Sequence, residues 1–275
     1  MSVLAIPEPY DFERSTDRFR AYGRDLATAS VDGALYRIVD GAEVRISPAV
    51  GGVHVMPAEP AALEHVSFLL GLAFDLAGFW AWARDEPVLR ELAGPLAGFR
   101  PPLQPDPWEA VVTSVTAQQV SLHAAFAVRS RLIERLGTRH THAWAFPPRA
   151  RLAKASENDL VAAGFSRRKA EYVLGLARAE LDLDSLRALP DDEVVATLSA
   201  HRGLGRWSAD WFLARALARP DAWPAGDLGL RKAVSHFYGE GRMLDESEVR
   251  ELGERFGAWR NLAAHMLLAG LRVSG

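Results

Sequence analysis

The chain has 275 residues, of which 49% are hydrophobic and 24% are charged, with a formal net charge of −3 at pH 7. This composition is typical of an ordinary globular protein of one large or two moderate domains, and it excludes a disordered or fibrous chain. Cysteine is absent, which excludes disulfides, cysteine-ligated zinc and cysteine-bound iron–sulfur clusters.

Neither the amino terminus nor the longest apolar stretch carries a signal for export or membrane insertion. The first residues, MSVLAIPEPYDFERS, lack the basic start and continuous apolar run of a secretory signal. The stretch from Phe68 to Trp82 contains Asp75 and two glycines, and it is shorter than the roughly 20 residues of a membrane span. We therefore expect a cytoplasmic protein without a membrane partner.

Residues 1–93 are predicted to form an α+β domain. Polar and apolar residues alternate between Leu35 and Met56, and turn pairs at Asp40-Gly41 and Gly51-Gly52 interrupt the alternation. Period-two runs separated by such turns predict an antiparallel meander with one solvent-exposed face. The pattern becomes helical from residue 60 to about residue 92, and a helix there would cover the apolar face of the sheet.

A proline-rich segment follows this domain. Residues 94–108, GPLAGFRPPLQPDPW, hold five prolines in fifteen positions and cannot form a regular helix or a central strand. We therefore predict a linker over residues 94–107. Residues 108–275 are predicted to form an all-α domain, with helices over residues 108–136, 155–163, 167–179, 191–198, 207–217, 228–238 and 247–271, the last one interrupted near Gly257.

Residues 196–215, ATLSAHRGLGRWSADWFLAR, predict two helices joined by a tight turn. Glycines allow a positive φ and let a phosphate approach main-chain N–H groups, and the second helix directs its partially positive N-terminus to the same position. A nucleic-acid phosphate could bind at this corner. The alternative is a turn that only joins two packed helices, which is the commoner use of glycine there. The residues concerned are Gly203, Leu204, Gly205, Arg206 and Ser208.

Basic residues are concentrated near two such corners. Between His201 and Lys232 there are six Lys or Arg residues and three Asp residues. A second corner, GFSRRKAEYV, carries Arg167, Arg168 and Lys169. Two basic helix N-termini suit a row of phosphates, and the positive surface must be local because the net charge is negative.

Asp227 immediately precedes the helical pattern LGLRKAVSHFY and is predicted to be the N-cap of that helix. The backbone N–H groups and the helix dipole at such a position favour the ionised carboxylate, so a cap and a catalytic anion are compatible. His140 and His142 lie close together in sequence but lack a third ligand at a helical spacing, so we expect no metal site.

Six segments follow one another along the chain: PEPYDF (7–12), the meander, SVTAQQVS (114–121), GFSRRKAEYV (164–173), the glycine turn and PAGDLGLRKAV (224–234). In this order, they resemble the helix-hairpin-helix (HhH-GPD) superfamily of base-excision DNA glycosylases, and most closely its 3-methyladenine DNA glycosylase II type. The resemblance implies a mainly α protein, with an N-terminal antiparallel-sheet domain like the TATA-binding protein and an all-α helix-hairpin-helix glycosylase domain.

The resemblance further implies a monofunctional glycosylase that flips an alkylated purine out of duplex DNA and hydrolyses its N-glycosidic bond, leaving an abasic site. Asp227 would stabilise the positive charge that develops on the sugar. Trp207 stands two residues after the last glycine of the turn, where strand-cutting relatives carry a nucleophilic lysine. Tryptophan cannot form a Schiff base. A non-catalytic DNA damage sensor is the alternative. Asp227 distinguishes the two hypotheses, because a protein that only binds phosphates has no use for a carboxylate near DNA.

The base pocket and the wedge are also implied by the resemblance. Trp207 and Trp211 would hold a cationic base through cation–π contacts of roughly 0.5–2 kcal/mol, although tryptophans at helical spacing are more often core residues. Phe12 would contribute from the N-terminal side, and His265 stands where relatives often have an aromatic residue.

Gln119 would enter the gap left by the flipped base, with Gln118 supporting it. The local alternative is a polar junction between two helices at which Ser121 caps the second helix. The expected partner is duplex DNA containing a damaged base, bound by a monomer without cofactor or metal in the bacterial cytoplasm or nucleoid. Arg167, Arg168 and Lys169 would contact phosphates.

Overall fold

A computed structural model describes residues 2–274 and contains an antiparallel sheet followed by helices. The strands of the sheet are β1 (Ser2–Ala5), β2 (Thr28–Val31), β3 (Ala34–Val39), β4 (Ala42–Ala49) and β5 (Gly52–Met56). They lie in the order β1-β5-β4-β3-β2, and each neighbouring pair is antiparallel. The predicted meander is confirmed, because β3, β4 and β5 are consecutive and their turns contain Asp40-Gly41 and Gly51 at positive φ.

The helical pattern predicted between residues 60 and 92 forms three helices rather than one. The side chain of Asp75 accepts a hydrogen bond from the Gly78 N–H, and that of Glu86 accepts one from the Leu89 N–H, so each residue starts a new helix. The first of the three packs on the apolar face of the sheet, as predicted. The helices up to residue 92 are α1 (Phe12–Thr16), α2 (Arg18–Ala21), α3 (Pro60–Leu69), α4 (Leu76–Trp82) and α5 (Pro87–Leu92).

The remainder of the described chain is helical, which confirms the fold class, with the addition of a two-stranded ribbon, β6 (Thr138–Arg139) and β7 (Trp144–Ala145). Three segments form 3-10 turns: Ala83–Asp85, Ser185–Ala188 and Glu254–Trp259. The helices are α6 (Pro107–Ala117), α7 (Leu122–Leu136), α8 (Arg149–Lys154), α9 (Glu157–Ala162), α10 (Arg167–Arg178), α11 (Asp191–Ser199), α12 (Arg206–Arg215), α13 (Leu228–Tyr238), α14 (Glu246–Gly253) and α15 (Arg260–Val273).

Two helix predictions can be compared with these bounds. The single helix predicted over residues 108–136 is wrong, because Gln119 has a φ of 55° and Ser121 caps α7 through the Ala124 N–H. The cap at Ser121 is confirmed. The predicted break near Gly257 is also confirmed, since Gly257 has non-helical backbone angles between α14 and α15.

The buried apolar side chains form several clusters. One lies between the sheet and α3, and a second joins the helices from α6 to α12. A third combines residues 74–103 with residues 223–269, and it includes Leu96, Phe99 and Leu103. The segment predicted as a linker therefore contributes side chains to a core that it shares with α13 and α15. The boundary at residues 94–107 stays a prediction.

A buried network of charges connects the sheet to α6 and α7. Nη2 of Arg37 on β3 lies 2.6 Å from Oε2 of Glu109 on α6, and Arg129 on α7 contacts both Glu109 and Asp25. Burial alone would raise the pKa of Glu109, but Arg37 and Arg129 outweigh it and lower that pKa to about 2. The four side chains are buried, so each charge depends on its partners.

We predict that Glu109→Gln lowers the free energy of unfolding by about 3–5 kcal/mol, because removing one partner of a buried ion pair leaves charges without compensation. Urea unfolding measures the change. Glu171→Gln serves as the control, because it removes an exposed pair with Arg202 and should cost at most about 1 kcal/mol. Equal effects of the two substitutions would contradict the structural role of the network.

The glycine turn between α11 and α12 requires glycine at only one of its two positions. Gly203 has a φ of +93°, and a Cβ atom there would lie 2.4 Å from Cγ of Tyr172. Leu204 is buried in the helical core. Gly205 is the N-cap of α12 with a φ of −114°, and a Cβ atom there would meet no described atom within 4 Å.

We predict that Gly203→Ala destabilises the protein by more than about 1 kcal/mol, because the side chain is strained at positive φ and collides with Tyr172. Gly205→Ala should change stability by less than about 0.5 kcal/mol. Thermal unfolding of both variants checks the difference. If Gly203→Ala melts with the wild type, the close contact between the turn and α10 does not support the fold.

Candidate active site

Asp227 begins α13 and uses one carboxylate oxygen for the helix. Its Oδ1 accepts a hydrogen bond of 2.9 Å from the Leu230 N–H, which confirms the predicted N-cap. A Cβ atom at position 229 would lie 3.0 Å from this oxygen, so Gly229 leaves room for the carboxylate. Since the cap fixes Oδ1, the orientation of Oδ2 is fixed as well.

The second oxygen of Asp227 accepts hydrogen bonds from two tryptophans. Nε1 of Trp207 lies 2.9 Å from Oδ2, and Nε1 of Trp211 lies 3.1 Å from the same atom. Both indoles project from α12, one turn apart, and are half-buried. An indole N–H can only donate, so the pair selects an acceptor at this position. The predicted use of the two rings as walls of a base pocket stays a prediction.

Basic and aromatic groups surround Trp211. The guanidinium carbon of Arg215 lies 4.3 Å from the centroid of the Trp211 ring. The ring of His265 lies 6.1 Å from that of Trp211 and 5.8 Å from that of Phe74. The residue His265 is 6% exposed. Burial, reinforced by nearby arginine charges, lowers the pKa of its imidazole well below the usual range, so the ring is neutral.

The N-terminal aromatic residue predicted for the pocket is half-buried against the core of the sheet. Phe12 begins α1 and lies against the cluster between the sheet and α3, together with Tyr10. A role for Phe12 beside the base stays a prediction.

The turn at residues 118–121 is joined to the glycine turn. Nε2 of Gln118 donates to the carbonyl oxygen of Gly203, at 2.7 Å, and to Oγ of Ser208, at 3.3 Å. Gln119 is exposed at the tip of the 118–121 turn. Val120 and Leu122 are 46% and 49% exposed beside it. Sequence reasoning did not single out these two, although apolar residues next to a polar turn were a visible signal.

The basic corner at the start of α10 also reaches these turns. Nζ of Lys169 donates to the carbonyl oxygens of Thr116 and Gln118, at 2.9 and 2.6 Å, so this ammonium group holds the end of α6. Arg167 forms an exposed pair with Glu157. Arg168 lies over the ring of Tyr172, the ring against which Gly203 packs. Three segments predicted to bind DNA therefore meet on one side of the protein.

One carboxylate near the site was not predicted. Asp210 lies on α12 between the two tryptophans and forms a pair with Arg206 at 2.7 Å. Burial raises the pKa of Asp210, against the effect of Arg206. Its Oδ2 is buried and has no hydrogen-bond partner among residues 2–274. Arg206 itself is exposed at the first position of α12.

The described residues contain neither a cluster of metal ligands nor a helix that could span a membrane. Between residues 2 and 274 there is no group of three or more His, Asp or Glu residues placed to hold a metal ion. Over the same residues, no helix combines the length and apolar character that crossing a bilayer requires.

Known proteins resemble this chain in sequence and in fold. A DNA-3-methyladenine glycosylase of Bacillus subtilis is 29% identical over 201 residues, which are 70% of this chain and 66% of that protein. DNA-3-methyladenine glycosylase 2 of Escherichia coli is 27% identical over 88% of this chain and 83% of its own length. The solved 3-methyladenine DNA-glycosylase from Archaeoglobus fulgidus superposes with a TM-score of 0.87 at 26% identity and covers 98% of both chains.

A protein-family model matches the part of the chain that contains the 118–121 turn, the glycine turn and Asp227. The pattern of the HhH-GPD superfamily of base excision DNA repair proteins extends over residues 112–258. This span covers more than half of the chain, from α6 to the 3-10 turn before α15. The chain therefore belongs to the HhH-GPD superfamily.

Proposed function

We propose that the protein is a monofunctional DNA glycosylase that excises alkylated purines of the 3-methyladenine type from duplex DNA and leaves an abasic site. The observation that carries this proposal is the Asp227 carboxylate, which three N–H donors hold in one orientation. The names of the similar proteins support the reaction class.

Asp227 has the chemistry that breaking an N-glycosidic bond needs. When the base departs, positive charge develops on the deoxyribose, and a nearby carboxylate stabilises that charge. A carboxylate that is already oriented does so without reorganising during the reaction. The donors of Trp207 and Trp211 hold the oxygen in place, and water completes the hydrolysis at the sugar carbon.

The residues around Asp227 favour hydrolysis over strand cutting. A lyase forms a Schiff base through an amine, whereas the position two residues after the glycine turn carries the Trp207 indole. Its N–H is engaged with Asp227 and has no lone pair for attack. The product we propose is therefore an intact strand with an abasic site.

Duplex DNA would bind where the three turns meet. The N-terminus of α12 has no side-chain cap at Gly205, so its N–H groups remain available for a phosphate. Gln119, at positive φ on an exposed tip, would enter the stack when the base rotates out. The contacts of Gln118 and Lys169 place the 118–121 turn relative to α12. We propose that one monomer suffices.

A non-catalytic damage sensor is the less favoured alternative. A protein that only binds DNA phosphates needs no carboxylate near the DNA, and a negative charge there would oppose binding. Two indole donors that converge on one oxygen of Asp227 therefore favour an enzyme.

We predict that Asp227→Asn lowers the single-turnover rate of 3-methyladenine excision by at least about two orders of magnitude, the scale of losing one preorganised electrostatic group. Asparagine is also a good N-cap, so the variant should fold and still bind the duplex. Alkaline cleavage of the abasic product measures the rate, and binding to undamaged duplex is the control. Excision at the wild-type rate would exclude Asp227 as the catalytic group.

We predict that Trp207→Phe lowers the excision rate about 10- to 100-fold, because it removes a hydrogen bond to a charged group worth about 1.5–3 kcal/mol and keeps an aromatic ring. Trp211→Phe should act in the same direction. Trp108→Phe is the control, because it also removes an indole N–H, but one that donates to the Pro147 carbonyl oxygen rather than to Asp227. A Trp207→Phe enzyme as fast as the control would show that the indole serves only as an aromatic surface.

A further inference from the structure

Lys169 lies at the beginning of α10, but its charge is not free in solvent. The side chain of Ser166 caps the helix through the Lys169 N–H, and the neighbouring Ala170 is buried, so the backbone of Lys169 is fixed. Its side chain is half-buried, and burial lowers the pKa of the ammonium group. A lysine that only contacts DNA phosphates keeps its ammonium group in water. Lys169 therefore differs from the exposed Arg167 and Arg168 beside it.

The ammonium group of Lys169 binds the end of α6. Its Nζ donates to the carbonyl oxygens of Thr116 and Gln118, at 2.9 and 2.6 Å. The last carbonyl oxygens of a helix have no N–H partner within that helix, and a cation there also interacts favourably with the helix dipole. Because α6 ends at Ala117, the two bonds span the point where the chain leaves the helix and enters the 118–121 turn.

The turn that Lys169 holds has a strained backbone. Gln119 has a φ of 55°, a conformation that costs free energy in residues other than glycine and persists only where the surrounding structure imposes it. The preceding residue is held twice, because the carbonyl oxygen of Gln118 accepts from Lys169 and its side chain donates to the Gly203 carbonyl oxygen. With Gln118 fixed, the exposed side chain of Gln119 is directed outward at the tip of the turn.

We propose that Lys169 is a positioning residue for base eversion, because its two bonds to the end of α6 hold Gln119 in the conformation that enters the DNA stack. This inference rests on the proposed glycosylase function and concerns how the base leaves the duplex, not the reaction at Asp227. Rotating a base out of a duplex costs the free energy of unstacking and unpairing. A side chain that is already in position does not have to be ordered during that step, so loss of the ammonium group raises the barrier to eversion.

A positioning role differs from a phosphate contact in its dependence on the state of the base. A phosphate contact contributes to binding whether or not the base is paired, so its loss slows excision of paired and unpaired lesions equally. A residue that assists eversion matters most where a base pair must be broken, since extrusion costs least for a base without a partner. A general loss of folded protein also affects both substrates equally.

Excision of 3-methyladenine is compared in two duplexes, one in which the lesion pairs with thymine and one in which it lies in a single-nucleotide bulge. Rates are measured below saturation, so that binding and eversion both contribute. We expect Lys169→Met, which keeps the apolar stem, to slow excision from the pair at least about tenfold and excision from the bulge less than about threefold. Arg167→Met is the matched control, because it removes an exposed charge from the same helix start and should slow both substrates by the same factor.

Gln119→Gly tests whether Lys169 acts through Gln119. Glycine adopts a φ of 55° without strain and has no side chain to insert, so this variant should fold and should slow excision from the pair. In the Gln119→Gly background, we expect Lys169→Met to have less than about a twofold further effect on the pair. Lys169→Gln, which keeps a donor without the charge, replaces Lys169→Met in both comparisons if the latter does not fold.

Two results would overturn the inference. One is an equal slowing of paired and bulged lesions by Lys169→Met, which would make Lys169 only a phosphate contact or a support of the fold. The other is an undiminished effect of Lys169→Met in the Gln119→Gly background, which would show that Lys169 acts independently of Gln119. A wild-type protein that excises 3-methyladenine from neither duplex refutes the proposed function itself, and that outcome is distinct from both.

Discussion

One carboxylate group that accepts three N–H donors is the interaction on which the organisation of the site depends. The backbone of α13 holds one oxygen of Asp227, and two indoles of α12 hold the other. Each donor belongs to a helix that the core fixes in place, because Leu230 and Phe212 are buried. The carboxylate is therefore positioned before any ligand arrives, which is the condition for electrostatic stabilisation of a developing cation.

Helix α12 joins the Asp227 carboxylate to the surface proposed to bind DNA. The N-terminus of α12 lies at the glycine turn, and Trp207 follows within its first turn. Gly203 packs against Tyr172 of α10, and Gln118 binds the Gly203 carbonyl oxygen. A phosphate held at the glycine turn and a sugar held at Asp227 would therefore be related by one rigid element. Changes in the turn would then shift the DNA relative to the carboxylate and affect catalysis from outside the site.

The features of the fold that could be predicted depend on residues that are neighbours in sequence, whereas those that could not be predicted depend on residues far apart in sequence. The meander, the Asp227 cap and the break at Gly257 depend on neighbouring residues, so alternation, capping and glycine indicated them. The buried network pairs Arg37 with Glu109, 72 positions apart, and Arg129 with Asp25, 104 positions apart, and no local pattern records such a pairing. The direction of a side chain is also not local. The sequence indicated that Lys169 lies at a basic helix start, whereas packing turns its ammonium group inward to carbonyl oxygens. The sequence also indicated that Trp207 and Trp211 share one face of a helix, but not that both indole N–H groups converge on Asp227.

The most direct test compares the binding of two duplexes that differ at one sugar. In one duplex the damaged nucleotide is replaced by a pyrrolidine, whose protonated nitrogen carries the positive charge of the transition state, and in the other by a neutral tetrahydrofuran. Because an enzyme binds a transition-state analogue at least about 100-fold more tightly than its ground-state counterpart, the wild-type protein should prefer the pyrrolidine duplex strongly, and Asp227→Asn should bind the two about equally. Equal affinities in the wild-type protein, or a preference that survives in Asp227→Asn, would contradict the role of this carboxylate.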